Sequence, residues 1–305
     1  MKQYFIKSCE ITWGQMKRYK MCYFFLAPYA LLFGLFFILP MIISIWYSFT
    51  NYNVLEPATF IGFQNYINLF LADDIFIKSI QNTFLLAAIT GPIGYVLAFM
   101  FAWFINELPK GLRAIAVLVF YAPTISGQVF MIWTIFFSGD AYGILNAFLI
   151  HYNLIDAPRW WLVTPDLMMK CVMVVVLWMS LGAGFLAFIA GFQGLDKTLY
   201  EAGLCDGISN RWQELWYITL PSMKPQLMFG AVMAITQSFA VADVTVALCG
   251  LPSTDYAVHT VVNHLVDYGA IRFEMGYASA IATILFLTMI YTNKGVQHLL
   301  RKVGT

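Results

Sequence analysis

Glu201 and Asp206 are the carboxylates of this chain whose setting points to work done on a partner. They stand in Tyr200-Glu201-Ala202-Gly203-Leu204-Cys205-Asp206-Gly207, followed by Ile218-Thr219-Leu220-Pro221. A carboxylate on a short, small-residue helix can pair with a groove on another protein. Thr198 precedes Glu201 at the capping-box spacing, in which hydroxyl and carboxylate satisfy each other's backbone donors. Capping alone is the plainer role for Glu201, which would also suit the helix dipole. It leaves Ala202, Gly203 and Gly207 unexplained, and small residues permit close helix contact with a partner surface. Asp206 is read first as a turn-stabilising residue. Gly207 sits where a left-handed helix stop is wanted. Asn210, with Gln213 three residues on, starts a second helix. The pattern predicts two short helices joined by a glycine turn, forming a docking element for a soluble partner.

Other chemistries are weaker. Gly191-Phe192-Gln193-Gly194-Leu195-Asp196-Lys197-Thr198 imitates a phosphate-cradling loop. Asp196 stands where that loop needs glycine, and its carboxylate would repel phosphate. The four histidines form no H-x-x-x-H or H-E-x-x-H pattern, and His259 and His264 are five apart, so no metal site is expected. Five cysteines form no C-x-x-C pair and read as buried apolar thiols. Asp243 is the one carboxylate within an apparent span. It is either a proton or cation site or a helix-end residue; Gly250 and Pro252 follow soon after, which favours the helix end. Thr124, Ser126, Gln128, Ser180, Gln237 and Ser238 are hydrogen-bonding groups inside apolar runs. Such groups face a cavity or bond helix to helix. Gln128 and Gln237 offer both donors and acceptors to a solute.

The elements that must position these residues are membrane spans. Of 305 residues, 61% are hydrophobic and 11% charged, against about a quarter charged in soluble domains. The net charge of +1 names no partner and gives no ground for nucleic-acid binding. Uncharged runs occupy 21–55, 79–106, 114–139, 171–195, 225–242 and 275–293. A helix needs about 20 mostly apolar residues to cross the hydrocarbon core. The first four runs satisfy that, the sixth barely, and the fifth only if it runs past Asp243. Strand-like alternation is absent, so the fold class is an all-α integral membrane protein of six helices. Pro28 and Pro40 mark kinks or ends in the first. The first run is too long for a cleavable signal. With a cytoplasmic N-terminus, thirteen of the 17 lysines and arginines fall inside. Both termini and the Glu201 segment are then cytoplasmic. Trp160-Trp161 read as an interfacial aromatic anchor. The expected organisation is a basic N-terminus (1–20), one six-helix domain (21–300) with a coupling segment at about 195–221, and a tail (301–305).

These residues resemble a known family. Glu-Ala-Gly, Asp-Gly and Ile-Thr-Leu-Pro are similar to the docking motif of membrane subunits of bacterial ATP-binding-cassette (ABC) importers. Gly203 replaces an alanine, and the interval from Gly207 to Ile218 is one residue longer than usual. The resemblance spans about residues 22–300 and is closest to the carbohydrate importers, especially the maltose-type F subunit. It is carried by Tyr47-Ser48-Phe49-Thr50-Asn51-Tyr52-Asn53, Phe60-Ile61-Gly62-Phe63-Gln64-Asn65-Tyr66, Asn82-Thr83, Tyr121-Ala122-Pro123, Trp133 and Gly276-Tyr277-Ala278-Ser279-Ala280. Gly250-Leu251-Pro252 departs from the usual two glycines before proline. The resemblance implies a non-enzymatic permease in the bacterial inner membrane. Its implied partners are a second, G-type permease subunit, an ABC ATPase dimer that carries the ATP and magnesium, an extracellular solute-binding protein, and membrane lipid. The chain itself would hold no cofactor. Coupling would fall to Glu201, Ala202, Gly203, Asp206 and Gly207. A carbohydrate substrate would pass Thr124, Gln128, Met179, Ser180, Gln237 and Ser238. The rival is a secondary transporter driven by an ion gradient, but the spans are almost free of the buried ionisable residues such folds use. Which sugar is carried is not written in the chain.

Overall fold

The computed structural model describes residues 18–301. Most of the expected N-terminal and C-terminal segments, with Cys9, lie outside them. The first span, α1 (Lys20–Tyr47), runs 28 residues, and its most apolar stretch has no buried residue. A π-helical turn at Gly34–Ile38 precedes Pro40. Proline has no N–H for the carbonyl one turn back; the wider turn takes up that mismatch and the helix continues. Neither Pro28 nor Pro40 ends it.

A two-stranded antiparallel ribbon follows, β1 (Thr50–Asn51) and β2 (Thr59–Phe60), with Thr50 opposite Phe60. It is a small addition to an otherwise helical fold. The buried Asn65 on α2 (Gln64–Leu71) donates from Nδ2 to the Ser48 and Thr50 carbonyls at 3.0 and 2.9 Å. This ties the ribbon to the bundle. Next, α3 (Asp74–Asn106) is 33 residues long, or about 50 Å at 1.5 Å per residue. It starts five residues before the uncharged run because Asp73 caps it, accepting from the Phe76 N–H at 2.8 Å.

The third expected span is broken. Helices α4 (Lys110–Ile125) and α5 (Val129–Phe136) meet at 84°, with Gly127 at φ +65° in the bend. Then α6 (Ile144–His151) buries Asn146, which bonds Ser138, Asp140 and Arg159 backbone groups and accepts from Trp161 Nε1 at 2.8 Å. Trp161 is thus held internally, while Trp160 is exposed. The fourth span comprises α7 (Pro165–Trp178) and α8 (Ala183–Gln193). Two short helices follow, α9 (Lys197–Cys205) and α10 (Arg211–Glu214). The fifth span is α11 (Lys224–Phe239), a break at Ala240–Ala242, and α12 (Asp243–Cys249). A buried turn, α13 (Val261–Val266), leads to the last span, α14 (Met275–Arg301).

Five helices are long and apolar enough to cross a membrane, and six when the bent α4–α5 pair counts as one. The core forms where α8 and α11 pack on α3. Phe185, Phe188 and Phe192 fill it against Ala98, Ala102 and Leu227. Burying such side chains contributes about 1.5–3 kcal/mol each in water; within lipid, close packing is the relevant gain. Of the four cysteines described, only Cys171 is buried, while Cys22 and Cys205 are exposed. A thiol on a lipid-facing helix or a surface helix needs no burial in the chain itself.

Candidate functional site

Three span breaks converge on one cavity of about 320 Å³. They are the bend after Ile125, the interruption between Trp178 and Ala183, and the break at Ala240–Ala242. Irregular backbone at membrane depth is tolerated where it lines a cavity or is covered by protein. Thr124, Met179, Ser180, Gln237 and Ser238 all line this space. Their hydroxyls are already engaged. Thr124 Oγ1 donates to Leu181 O at 3.2 Å, Ser180 Oγ to Leu177 O at 2.7 Å, and Ser238 Oγ to Ile235 O at 2.9 Å. Gln237 differs: its side chain is exposed and hydrogen-bonds no described residue. Its amide lies beside Gly182, where an added Cβ would come within 3.0 Å of Nε2. Gln237 therefore does not bond helix to helix, and its donors and acceptor are available to a solute.

Gln128 does not line the cavity. The 84° bend leaves it exposed at the start of α5, where its backbone, not its amide, makes the local bonds. Five lining residues on α3 went unread in the sequence: Thr90, Gly91, Gly94, Tyr95 and Ala98. The spacing Gly91-x-x-Gly94 was their one signal. Asp243 also lines the cavity, as the first residue of α12. A carboxylate there favours the helix dipole, which agrees with the helix-end reading.

The 195–221 segment folds as two short helices, with Gly207 at φ +91° between them. The cap of α9 is Asp196, not Thr198: its Oδ1 accepts from the Thr198 N–H at 3.0 Å. That bond holds the Asp196 carboxyl below its ordinary range. The helix consequently begins one residue before Thr198, and Glu201 falls beyond the first turn. A capping box does not form there. Asn210 caps α10, accepting from Gln213 N–H at 2.9 Å, while Gln213 Oε1 accepts from Ser209 N–H at 3.0 Å. Gly203 is buried against its own chain: an added Cβ would lie 2.6 Å from Ile218 Cδ1 and 3.2 Å from Ile208 Cδ1. Its small size serves internal packing and not a partner surface. Thr219 Oγ1 joins the Tyr200 hydroxyl at 2.9 Å and the Glu214 carbonyl at 3.2 Å. The Ile218-Thr219 part of the motif thus clamps α9 onto the bundle. Glu201, Ala202, Leu204, Cys205 and Asp206 remain exposed. Glu201, Leu204 and Cys205, at i, i+3 and i+4, share one face.

The opposite end of α3 carries a buried polar chain. His264 Nε2 lies 3.0 Å from Asp73 Oδ2, His259 Nε2 lies 3.3 Å from His264 Nδ1, and Tyr277 donates to Asp73 Oδ2 at 2.9 Å. A carboxylate only accepts. His264 Nε2–H therefore donates to Asp73, and its other ring nitrogen meets His259. His259 Nδ1 is left buried without a partner. Burial, and then the neighbouring His264, push the His259 pKa down to about 4. Burial raises that of Asp73, but the bonds from His264, Phe76 and Tyr277 outweigh it and bring the value to about 2. Among the described residues no group of three or more such side chains is placed to hold a metal.

Residues 90–303 match the family model described as "Binding-protein-dependent transport system inner membrane component". The chain belongs to this family. The permease is similar to the inner membrane ABC transporter permease protein YcjO of Escherichia coli (strain K12), 31% identical over 86% of this chain and 88% of that one. It is 29% identical to the probable ABC transporter permease protein YesP of Bacillus subtilis (strain 168), over 87% and 85%. The arabinooligosaccharides transport system permease protein AraP of the same organism is 26% identical over 88% and 84%. A crystal structure of a bacterial ABC transporter involved in importing the acidic polysaccharide alginate matches with a TM-score of 0.75 at 24% identity, covering 96% of this chain and 99% of that one. That likeness bears on the fold. The permease is thus a multi-pass transport component of the inner membrane that works with a binding protein, and the ion-gradient reading falls away.

Proposed function

We propose that this permease is one of two non-identical membrane subunits of an ATP-driven carbohydrate importer. The observation that carries the reading is the free Gln237 amide, facing a cavity built at three helix breaks. An amide with two donors and an acceptor suits the hydroxyls of a neutral sugar. A relative named for arabinooligosaccharide transport supports that substrate class. A G-type permease would supply the other half of the path. A separate ATPase dimer, holding ATP and magnesium, would engage the exposed face of α9 through Glu201. Its closure would move α9 and α10 as a lever and switch the bundle between inward- and outward-facing states. The positive-inside bias supports placing both termini and this segment in the cytoplasm.

The test is ATP hydrolysis and uptake by the reconstituted assembly, with its binding protein presented with a glycan panel. Replacing Gln237 by leucine should lower uptake about tenfold, the worth of one or two net hydrogen bonds. The melting temperature should stay unchanged, because no internal bond is lost. Unchanged uptake, or lost stability with normal uptake per folded complex, would remove Gln237 from the path.

A further inference from the structure

A second cleft, of about 460 Å³, lies where α3 ends, α4 begins and α9 and α10 fold back beneath them. Neither the cavity nor the exposed face of α9 uses it. Its charged lining is Glu107, Lys110, Arg113, Lys197, Arg211 and Glu214. Arg211 bridges Glu107 at 3.2 Å and Glu214 at 2.7 Å, joining α10 to the end of α3. The three remaining cations leave the cleft positive overall. Arg113 donates from Nη2 to the Asn106 and Leu108 carbonyls at 2.6 and 3.1 Å. Its Nε–H is buried with no acceptor. Lys110 and Lys197 are exposed, and no described residue pairs with either ammonium.

We infer that this cleft binds the phosphate of an anionic phospholipid headgroup. Phosphate oxygens would accept from both lysines and from Arg113 Nε, charge-assisted bonds that no carbonyl of the chain supplies. The site stands at the ends of two spans. Trp103, which lines it, meets Trp212 edge-on at 5.2 Å, an aromatic pair of the kind found at the membrane–water boundary. Basic pockets between spans at that level hold acidic headgroups. A free phosphate ion offers the same oxygens. The lipid is favoured because the edge of the cleft is aromatic: Trp103 stacks on the exposed Phe104 at 5.4 Å and meets the exposed Trp212. Acyl chains would lie against these rings. A bound headgroup would brace the α3–α4 turn against α9 and α10.

The test counts lipid. The permease, purified with its partner subunits and stripped of lipid, is exchanged into phosphatidylglycerol or phosphatidylcholine and weighed by native mass spectrometry. One phosphatidylglycerol per copy should survive activation that strips phosphatidylcholine. Lys110→Ala combined with Lys197→Ala should lower that occupancy about tenfold or more. Lys294→Ala, on α14, should not. Both lysines are exposed, so a matching melting temperature will show that the double variant folds. Displacement by millimolar inorganic phosphate would uphold the phosphate site and assign it a soluble occupant. Equal phosphatidylglycerol retention in the double variant, or phosphatidylcholine held as firmly, would overturn the inference. So would loss of the ATPase from the double variant at unchanged lipid count, which would make the cleft a protein contact.

Discussion

Serine, threonine and glutamine report a cavity differently. A hydroxyl one or two bonds from the backbone can return to a carbonyl of its own helix, as Ser180 and Ser238 do. Each keeps lone pairs for a solute but has no donor left to give. The longer Gln237 side chain makes no such return. At the other end of α3, His259 sets an acid limit. Its ring stays neutral more readily in the fold than in the unfolded chain, where the ordinary value is 6.5. Its contribution is therefore complete above about pH 6.5 and is lost as pH falls through about 4. Asp73 ionises more readily in the fold, so its share persists until pH falls below 3.8 toward about 2. Above the Asp73 window the loss from this pair belongs to His259. At about pH 5 it amounts to on the order of 2 kcal/mol. The melting temperature of the purified assembly should fall from about pH 7 to about pH 5, and His259→Gln should fall less. Equal falls would show that the buried ring is silent.

At the scale of elements, α9 and α10 separate the face proposed to dock from the residues that hold it in place. The Glu201 side chain makes no hydrogen bond or ion pair within the described residues. Glu201→Ala should thus reduce transport-coupled ATP hydrolysis in proteoliposomes while leaving the melting temperature alone. Gly207→Val meets no neighbour within 4 Å, but it forces a branched residue to φ +91°, a strain of about 1–2 kcal/mol. It should lower both coupling and stability. Wild-type coupling in Glu201→Ala would leave that face of α9 a bystander. The two helices, the Gly207 turn and the Asn210 cap were legible because their causes are local. The start of α9 was not, since Asp196 and Thr198 both offer caps and the choice depends on where α8 ends. Gly203 was misjudged because a helix's inward face is set by what packs beneath it, here Ile208 and Ile218. The breaks at 126–128, 179–182 and 240–242 lie inside uncharged runs, so hydropathy reads straight through them. The bend at Gly127 then turned Gln128 away from the residues it was grouped with.

At the scale of the whole molecule, composition and charge bias were enough to count the spans, but not to say how closely they gather. The core joins α3, α8 and α11, and α14 closes one side. The first span stands apart. Its first half, residues 20–33, carries no buried side chain, and its end near the ribbon meets α14. Phe24, Phe25, Leu31, Phe36 and Phe37 are all more than half exposed. Lipid can solvate such a helix, but a neighbouring chain can also cover it, and only that cover fixes its tilt and position. In the proposed two-subunit assembly such a helix would be a timing device. A copy made before its partner would present a bare, aromatic-rich span to the membrane's quality control, and surplus copies would become substrates for proteolysis. Pulse-chase labelling should show a shorter half-life for the permease expressed alone than with its partner subunits, and deleting residues 1–47 should narrow the gap. Matched synthesis of the two membrane subunits would then be enforced by the bare surface of one helix, with no regulator needed to count them.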